Sequence, residues 1–397
     1  MAGMRPCREL LAGGVLFSCV SALHVGLSMK HVLLGLGLLV GIIGGLLWAP
    51  ERARPLWWQA LVLLLCTAVV VAVLWIPIGG TWRDAVIASR AGASEGSLPL
   101  LSRQEAAQRA PAPEVPVLVQ VSPNVQYDSL SGMWSAEATD AAGQRAVVLF
   151  ESPPPEELLR ARQAILRVSR QGSDVLWRVQ RVAQLEPAVV LPYIPGLDER
   201  ARILYFHVPL AWGAVLAYAV AMIAAVAYLR RRQPRWEYRA NAAALVGVLY
   251  TVLATVTGAI WARFNWGAFW NWDPRQTTIL VLLFIYLAYF ALRASLPEGE
   301  RRWRLGNVYL VFAFVTVPFL VFVLPRLMES LHPGGQGDVN IGPVLSADPS
   351  ALNPLKQILL SAAFAAFTLL LGWLWSLTVR SRALQEKLMH ITAGGEG

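Results

Sequence analysis

Long apolar runs, separated by short arginine-bearing segments, set the pattern of this chain. They occupy 32–48, 57–78, 205–229, 240–261, 276–294, 305–325 and 357–379. Each is close to the ~20 apolar residues that a helix needs to cross a bilayer. A backbone inside lipid must satisfy its own hydrogen bonds, so the runs are predicted to be transmembrane helices. A weaker run at 10–27 follows Arg5 and Arg8 and contains His24. It reads as a further span, with an uncleaved signal anchor, or an extension upstream of a start at Met29, as alternatives. Composition agrees: of 397 residues, 56% are hydrophobic and 15% charged, and the mean hydropathy is +0.50. The predicted class is an all-α polytopic membrane protein, with one or two extra N-terminal transmembrane segments in 1–56, a first core helix at 57–78 and five more within 196–380.

The segment 79–200 breaks this pattern. Residues 90–114 are rich in Ala, Ser, Pro and Gly, and 79–114 is predicted to be a flexible linker. A small β-rich module is predicted over 115–195. Strand-like stretches lie at 116–121, 133–139 and 145–150, with a turn at Asp140 to Gly143. Residues 154–162 read as a short helix with Glu156 and Glu157 in its first turn. Two more strands, 164–169 and 175–183, flank Gly172. Five short strands with a helix between the third and fourth suggest an OB-like barrel.

Charge changes the picture by giving it an orientation. The formal net charge is +9. Its arginines sit in short loops between apolar runs, which excludes a nucleic-acid-binding reading. One side holds Arg52 and Arg54, Arg230 to Arg232, Arg235, Arg239, Arg293, Arg301, Arg302, Arg304, Arg380, Arg382 and Lys387. The short loops of the other side hold Arg263, Arg275, Arg326 and Lys356. The first side, with the 381–397 tail, is predicted to be cytoplasmic, and the 79–200 segment to face outward. Cys7, Cys19 and Cys66 are far apart, with no C-x-x-C pair for thiol redox, zinc or covalent c-type haem.

The candidate chemistry gathers on the outer side. Trp261, Trp266, Trp270 and Trp272 crowd the loop at 261–278 between two spans, with Gly267, Phe269 and Asp273 among or beside them. An interfacial aromatic belt accounts for Trp57, Trp58, Trp373 and Trp375. The loop exceeds that need and suits stacking on a large planar ligand. His207, in ARILYFHVPLAW, opens one outer helix, with Pro209 fitting its first turn. His332, in LMESLHPGGQGD, follows the outer end of another. Two imidazoles on one face can hold a haem iron from opposite sides; the alternative for each is an interfacial histidine hydrogen-bonded to a neighbour. His24 and His31 receive no role, and His390 belongs to the tail. Asp273, followed by Pro274, fits a helix N-cap and fixes the loop to the next span. Arg263, Arg275 and Arg326 suit haem propionates as bidentate donors, and pairing with Asp273, Glu329 or lipid phosphate suits them equally.

These residues resemble a known family. WGAFWNWDPRQT is similar to the tryptophan-rich "WWD" signature of haem-handling proteins of cytochrome c biogenesis. RILYFHVPLAW, SLHPGG and LNPLK resemble the two histidine motifs and the lead into the last helix of cytochrome c maturation protein C (CcmC, haem exporter protein C). The resemblance covers 57–78 and 200–380. It implies a six-helix core that binds non-covalent haem b at the outer face of the bacterial inner membrane. By the same resemblance His207 and His332 would be axial ligands to the iron, and Trp266, Gly267, Trp270, Trp272 and Asp273 the haem shelf. The partners implied are the haem chaperone (cytochrome c maturation protein E), ATP-binding-cassette transporter subunits, a small single-span subunit and membrane lipid. The role implied is delivery of haem to the chaperone, not enzymatic catalysis. The chain departs from the family before residue 57 and at 79–200. The latter holds no histidine, so a barrel there would be a docking or scaffolding element, not a haem carrier. The runner-up is a haem-binding cytochrome c synthase subunit; relatives of that kind have a second, intramembrane histidine pair, absent from these core spans. A non-haem transporter would need ionisable groups at mid-membrane, and the spans offer none.

Overall fold

The computed structural model describes residues 29–94, 114–193, 198–332 and 354–394. Among them, six helices are long and apolar enough to cross a membrane: Leu56–Trp75, Glu199–Arg231, Pro234–Trp266, Pro274–Ala294, Glu300–Arg326 and Leu355–Gln385. The apolar run at 10–27 lies outside the described residues. In chain order the elements are α1 (Met29–Gly41), continued by a π-helical turn (Ile42–Leu46), and α2 (Leu56–Trp75). β1 (Ile78–Gly79) and α3 (Trp82–Ser94) follow. Then come the strands β2 (Val115–Asp128), β3 (Met133–Asp140) and β4 (Arg145–Phe150). After these lie α4 (Glu156–Arg160), β5 (Ala164–Arg170), β6 (Leu176–Leu185) and β7 (Leu191–Pro192). A 3-10 turn (Asp198–Ile203) leads into α5 (Leu204–Arg231), α6 (Pro234–Trp266), α7 (Pro274–Ala294), α8 (Glu300–Pro318) and α9 (Pro354–Gly394).

Two interlocked tyrosines define the contact of α5 with α6. A Cβ on Gly213 of α5 would fall 2.4 Å from the Tyr250 ring, and one on Gly247 of α6 would fall 2.4 Å from the Tyr218 ring. Each glycine is thus the seat of a buried aromatic from the other helix. Tyr218 also stacks on Tyr286 of α7 at 3.5 Å and shares a 2.8 Å hydrogen bond with Thr251. Toward the other end of α6, Glu237 and Arg293 form a 2.6 Å ion pair that is almost wholly buried, and Asn307 donates to the same carboxylate. A buried charge is costly without a partner, and here the pair lies at helix ends, away from mid-membrane.

The run expected at 32–48 forms the shorter α1 and its π-helical turn. It packs on α9 along a seam in which Gly37 meets Ser361 and Gly41 meets Thr368. Ser361 Oγ donates to the Leu33 carbonyl at 2.6 Å.

The insert between α3 and β7 is a closed five-stranded barrel in the order β2-β3-β4-β6-β5. All its pairs are antiparallel except β4 with β6, and α4 joins β4 to β5. Alternation fills the interior with Val115, Val117, Val119, Val121, Ala136, Ala138, Val148, Leu166 and Val168. Each such valine or leucine contributes about 1.5–3 kcal/mol on burial. The first strand runs well beyond the expected 116–121, because an irregularity between Val121 and Val125 restores pairing and carries it on to Asp128↔Met133.

The linker expected at 79–114 differs at its start, where Trp82–Ser94 is helical. Trp82, Ala85 and Ala88 are buried along one face of that helix. Trp82 stacks on Trp177 of the barrel at 5.6 Å, and its backbone N–H donates to Asp140. Burial of an apolar stripe overrides a loop-like composition. β1 and β7 pair in parallel, and Gly80 bonds through both its backbone groups to β2. The barrel core is therefore continuous with Val69 and Val73 of α2, Tyr205 of α5, and Leu360 and Phe364 of α9.

Candidate functional site

The site is built where α6 ends and α7 begins. Gly267 stops α6 in the left-handed conformation, at φ 84°, which costs glycine nothing. Arg263 donates back to the Gly267 carbonyl and lies 6.0 Å over Phe269. Gln276 holds the loop from inside α7, accepting from Asn271 N at 2.8 Å and donating to the Phe269 carbonyl at 3.3 Å. Asp273 caps α7, with Oδ1 accepting from Arg275 N at 2.9 Å and Pro274 in the first turn. Its other oxygen accepts from Ser330 Oγ and from Leu331 N, each at 2.8 Å. Ser330 Oγ in turn accepts from the backbone N–H of His332 at 3.0 Å. One buried carboxylate thus ties the tryptophan loop to the segment that carries the second histidine.

His207 sits on the first turns of α5. Its Nδ1 is 2.9 Å from the Ala254 carbonyl and 3.2 Å from Thr257 Oγ1 on α6. A carbonyl can only accept, so Nδ1 carries the proton and the Nε2 lone pair is left for a ligand. The ring lies close against Gly258, where a Cβ would stand 2.8 Å from Cε1. Pro209, expected in the first turn of α5, stands inside the helix instead. The helical chain starts earlier, at the 3-10 turn, because Arg202 bonds to the carbonyls of Val73 and Ile76 and holds that turn in place.

His207 and His332 line one cavity of about 160 Å³ together with Trp261, Trp266, Trp270 and Arg275. His332 packs edge-on to Trp266, with ring centroids 6.3 Å apart. Ala211, Ala254, Gly258 and Ala259 keep the α5–α6 wall low. The volume is less than the ~300–1,000 Å³ usual for a ligand pocket, so a larger planar molecule seated there would project beyond it.

The remaining predicted site residues lie elsewhere. Trp272 is 72% exposed and points away, touching Trp270 edge-to-face at 5.9 Å. Its φ of 55° is unusual for a bulky residue. Gly267 and Arg263 shape the end of α6, and Arg326 is exposed at the end of a 3-10 turn after α8. Sequence reasoning counted Trp261 in the tryptophan cluster but left it out of the shelf; its indole N–H is buried in the cavity wall, with no acceptor among the described residues. The signal was present: 254, 258 and 261 share one face of a helix, and that face is the one turned to His207.

Comparison with known proteins bears on the same region. The family described as heme exporter protein C matches residues 188–391. That match spans α5 to α9 and the whole cavity, and leaves α1, α2 and the barrel outside it. Heme exporter protein C of Bradyrhizobium diazoefficiens is 30% identical over 196 residues, covering 48% of this chain and 69% of that protein. Heme exporter protein C of Rhodobacter capsulatus is 36% identical over 160 residues, covering 37% and 66%. A putative cytochrome c biosynthesis ccmC-like mitochondrial protein of Marchantia polymorpha is 36% identical over 124 residues, covering 31% and 52%.

Proposed function

The chain belongs to the heme exporter protein C family, and from that premise we propose that it binds haem b between His207 and His332 and hands it to a periplasmic haem chaperone during cytochrome c maturation. The observation that carries this reading is the contact of His207 Nδ1 with the Ala254 carbonyl. A carbonyl accepts, so Nδ1 holds the proton there, and Nε2 is left free to bind iron, as second-shell carbonyls arrange at metal sites. His332 shares the cavity, so the pair suits bis-histidine ligation.

Trp266 and Trp270 present ring surface to the porphyrin, and Trp272 offers exposed aromatic surface to whatever receives it. Arg275 lines the cavity and suits a propionate. Arg263 and Arg326, both exposed, would meet propionates only at the projecting edge. Asp273 and Gly267 act on the shelf through its backbone. A cavity this small would leave one porphyrin edge outside, which favours transfer to another protein over storage. The site faces the periplasm in this reading, because the arginine-rich loops lie at the opposite helix ends. The chaperone, ATP-binding-cassette subunits and a single-span subunit are the partners it implies.

The barrel's strand order, its single parallel pair and the helix between its third and fourth strands support an OB-type fold. Its interior is filled with valine and alanine and it holds no histidine, which favours a docking or scaffolding role beside the haem site.

The test is the visible spectrum of the purified protein with added haem, beside His207→Ala and His332→Ala. A low-spin bis-histidine spectrum, degraded in each variant, is expected. Equal haem retention when both histidines are replaced would remove the ligand assignment. A wild type that takes up no haem would return the chain to the transporter reading.

A further inference from the structure

At the end of α6 remote from the tryptophan loop, the α5–α6 turn gathers guanidinium groups around one indole. Arg231, Arg235 and Arg239 lie 5.4, 5.6 and 4.5 Å from the Trp236 ring centroid. Among the described residues, one carboxylate bonds to this group. Glu51 takes both Nε and Nη2 of Arg239, at 2.6 and 2.8 Å. Arg235 Nε donates instead to the neutral amide of Gln233 at 2.9 Å. Glu237, next to Trp236, is turned inward and consumed by Arg293. The Trp236 indole N–H is enclosed with no acceptor among the described residues. Arg231 and Arg235 are exposed, and so is the neighbouring Arg230. Three guanidinium groups held on one ring with one acid repel one another, and an anion in front of them would relieve that repulsion.

We propose that this turn binds the phosphate of an anionic phospholipid. Their closeness to the indole gathers Arg231 and Arg235 at one place, where guanidinium forks suit a phosphate better than single point charges do. A lipid fits better than a free anion because the turn joins two membrane-crossing helices, at headgroup depth. Below it, the exposed side chains Ile223 of α5 and Leu245 and Leu249 of α6 offer an apolar surface for acyl chains. The proposal does not depend on the haem site, and Arg239 stays with Glu51 in it.

Native mass spectrometry of the intact purified protein, offered equal phosphatidylglycerol and phosphatidylcholine, tests it. The wild type should retain phosphatidylglycerol in preference. The double variant Arg231→Gln, Arg235→Gln should lower that preference about 30-fold, at roughly a fivefold effect per arginine near the surface. Arg301→Gln with Arg304→Gln, on the same side of the membrane, should leave it intact, and millimolar inorganic phosphate should not displace the lipid. No preference in the wild type, or an undiminished one in the first variant, overturns the site. An equal loss in the second variant means diffuse charge in place of a site, and displacement by phosphate means a free-anion site; either result also overturns the proposal.

Discussion

A carboxylate that is 4% exposed needs compensation, and Asp273 obtains it from two chain segments at once. The capping half was legible in the sequence, because an acid before proline at the start of an apolar run is an N-cap pattern. The half that grips Ser330 and Leu331 was not, because nothing in the spacing of 273 and 330 says that they meet. Asp273→Ala is expected to cost about 2 kcal/mol in lost cap and stranded donors. Hydrogen exchange should speed up at both the Arg275 and Leu331 amides; unchanged protection at Leu331 would refute the latch. Gly258 matters for the opposite reason, as a place where nothing must stand. Gly258→Val would drive side-chain atoms into the His207 ring and break its bond to Ala254. Haem affinity in a titration should fall about tenfold or more, the consequence of overpacking by about 1–3 kcal/mol. Affinity equal to wild type would show that the ring is free to move.

At the scale of elements, helices were legible where lipid dictates them and obscure where packing does. The core spans follow from apolar length alone, and Gly267 and Asp273 mark the ends of α6 and α7 by their own backbone preferences. α3 was hidden, because its residues read as linker until Trp177 and Asp140 supply a surface and an acceptor. The closeness of α1 to α9 was hidden too, since glycines in an apolar run signal close approach without naming the partner. A Cβ at Gly37 would lie 2.2 Å from the Ser361 carbonyl oxygen, and backbone cannot yield as a side chain tip can. Gly37→Val is therefore expected to push α1 away and lower the thermal midpoint, at a cost of about 1–3 kcal/mol. An unshifted midpoint would mean that the α1 seam adds nothing to stability.

At the scale of the whole molecule, the barrel and the bundle share one core. Trp82, 3% exposed, belongs to that shared core and packs on the barrel through Trp177. Trp82→Ala removes the stack on Trp177 and leaves a cavity, a change expected to cost about 3–5 kcal/mol. If barrel and bundle unfold as a unit, a single transition should move down in temperature as a whole. A barrel that melts early while the helices hold would show two units joined by a hinge. A continuous core gives the barrel a fixed place against α2, α5 and α9, which the proposed docking role would require.

From the sequence alone came the class of the protein, its core spans, the strand pattern of the insert and the signature residues of the family. Those features depend on local composition, periodicity and motif, and each can be read without knowing what lies across the bundle. Tertiary structure alone decided which aromatic faces the cavity. Trp272 turns outward because its left-handed backbone and the cap at Asp273 set its direction, while Trp261 turns inward because it follows Ala254 and Gly258 around α6. It alone decided which ring nitrogen of His207 is engaged, since the Ala254 carbonyl beside Nδ1 comes from another helix. Such properties arise from contacts between segments far apart in the chain, and no short-range pattern encodes which segments will meet.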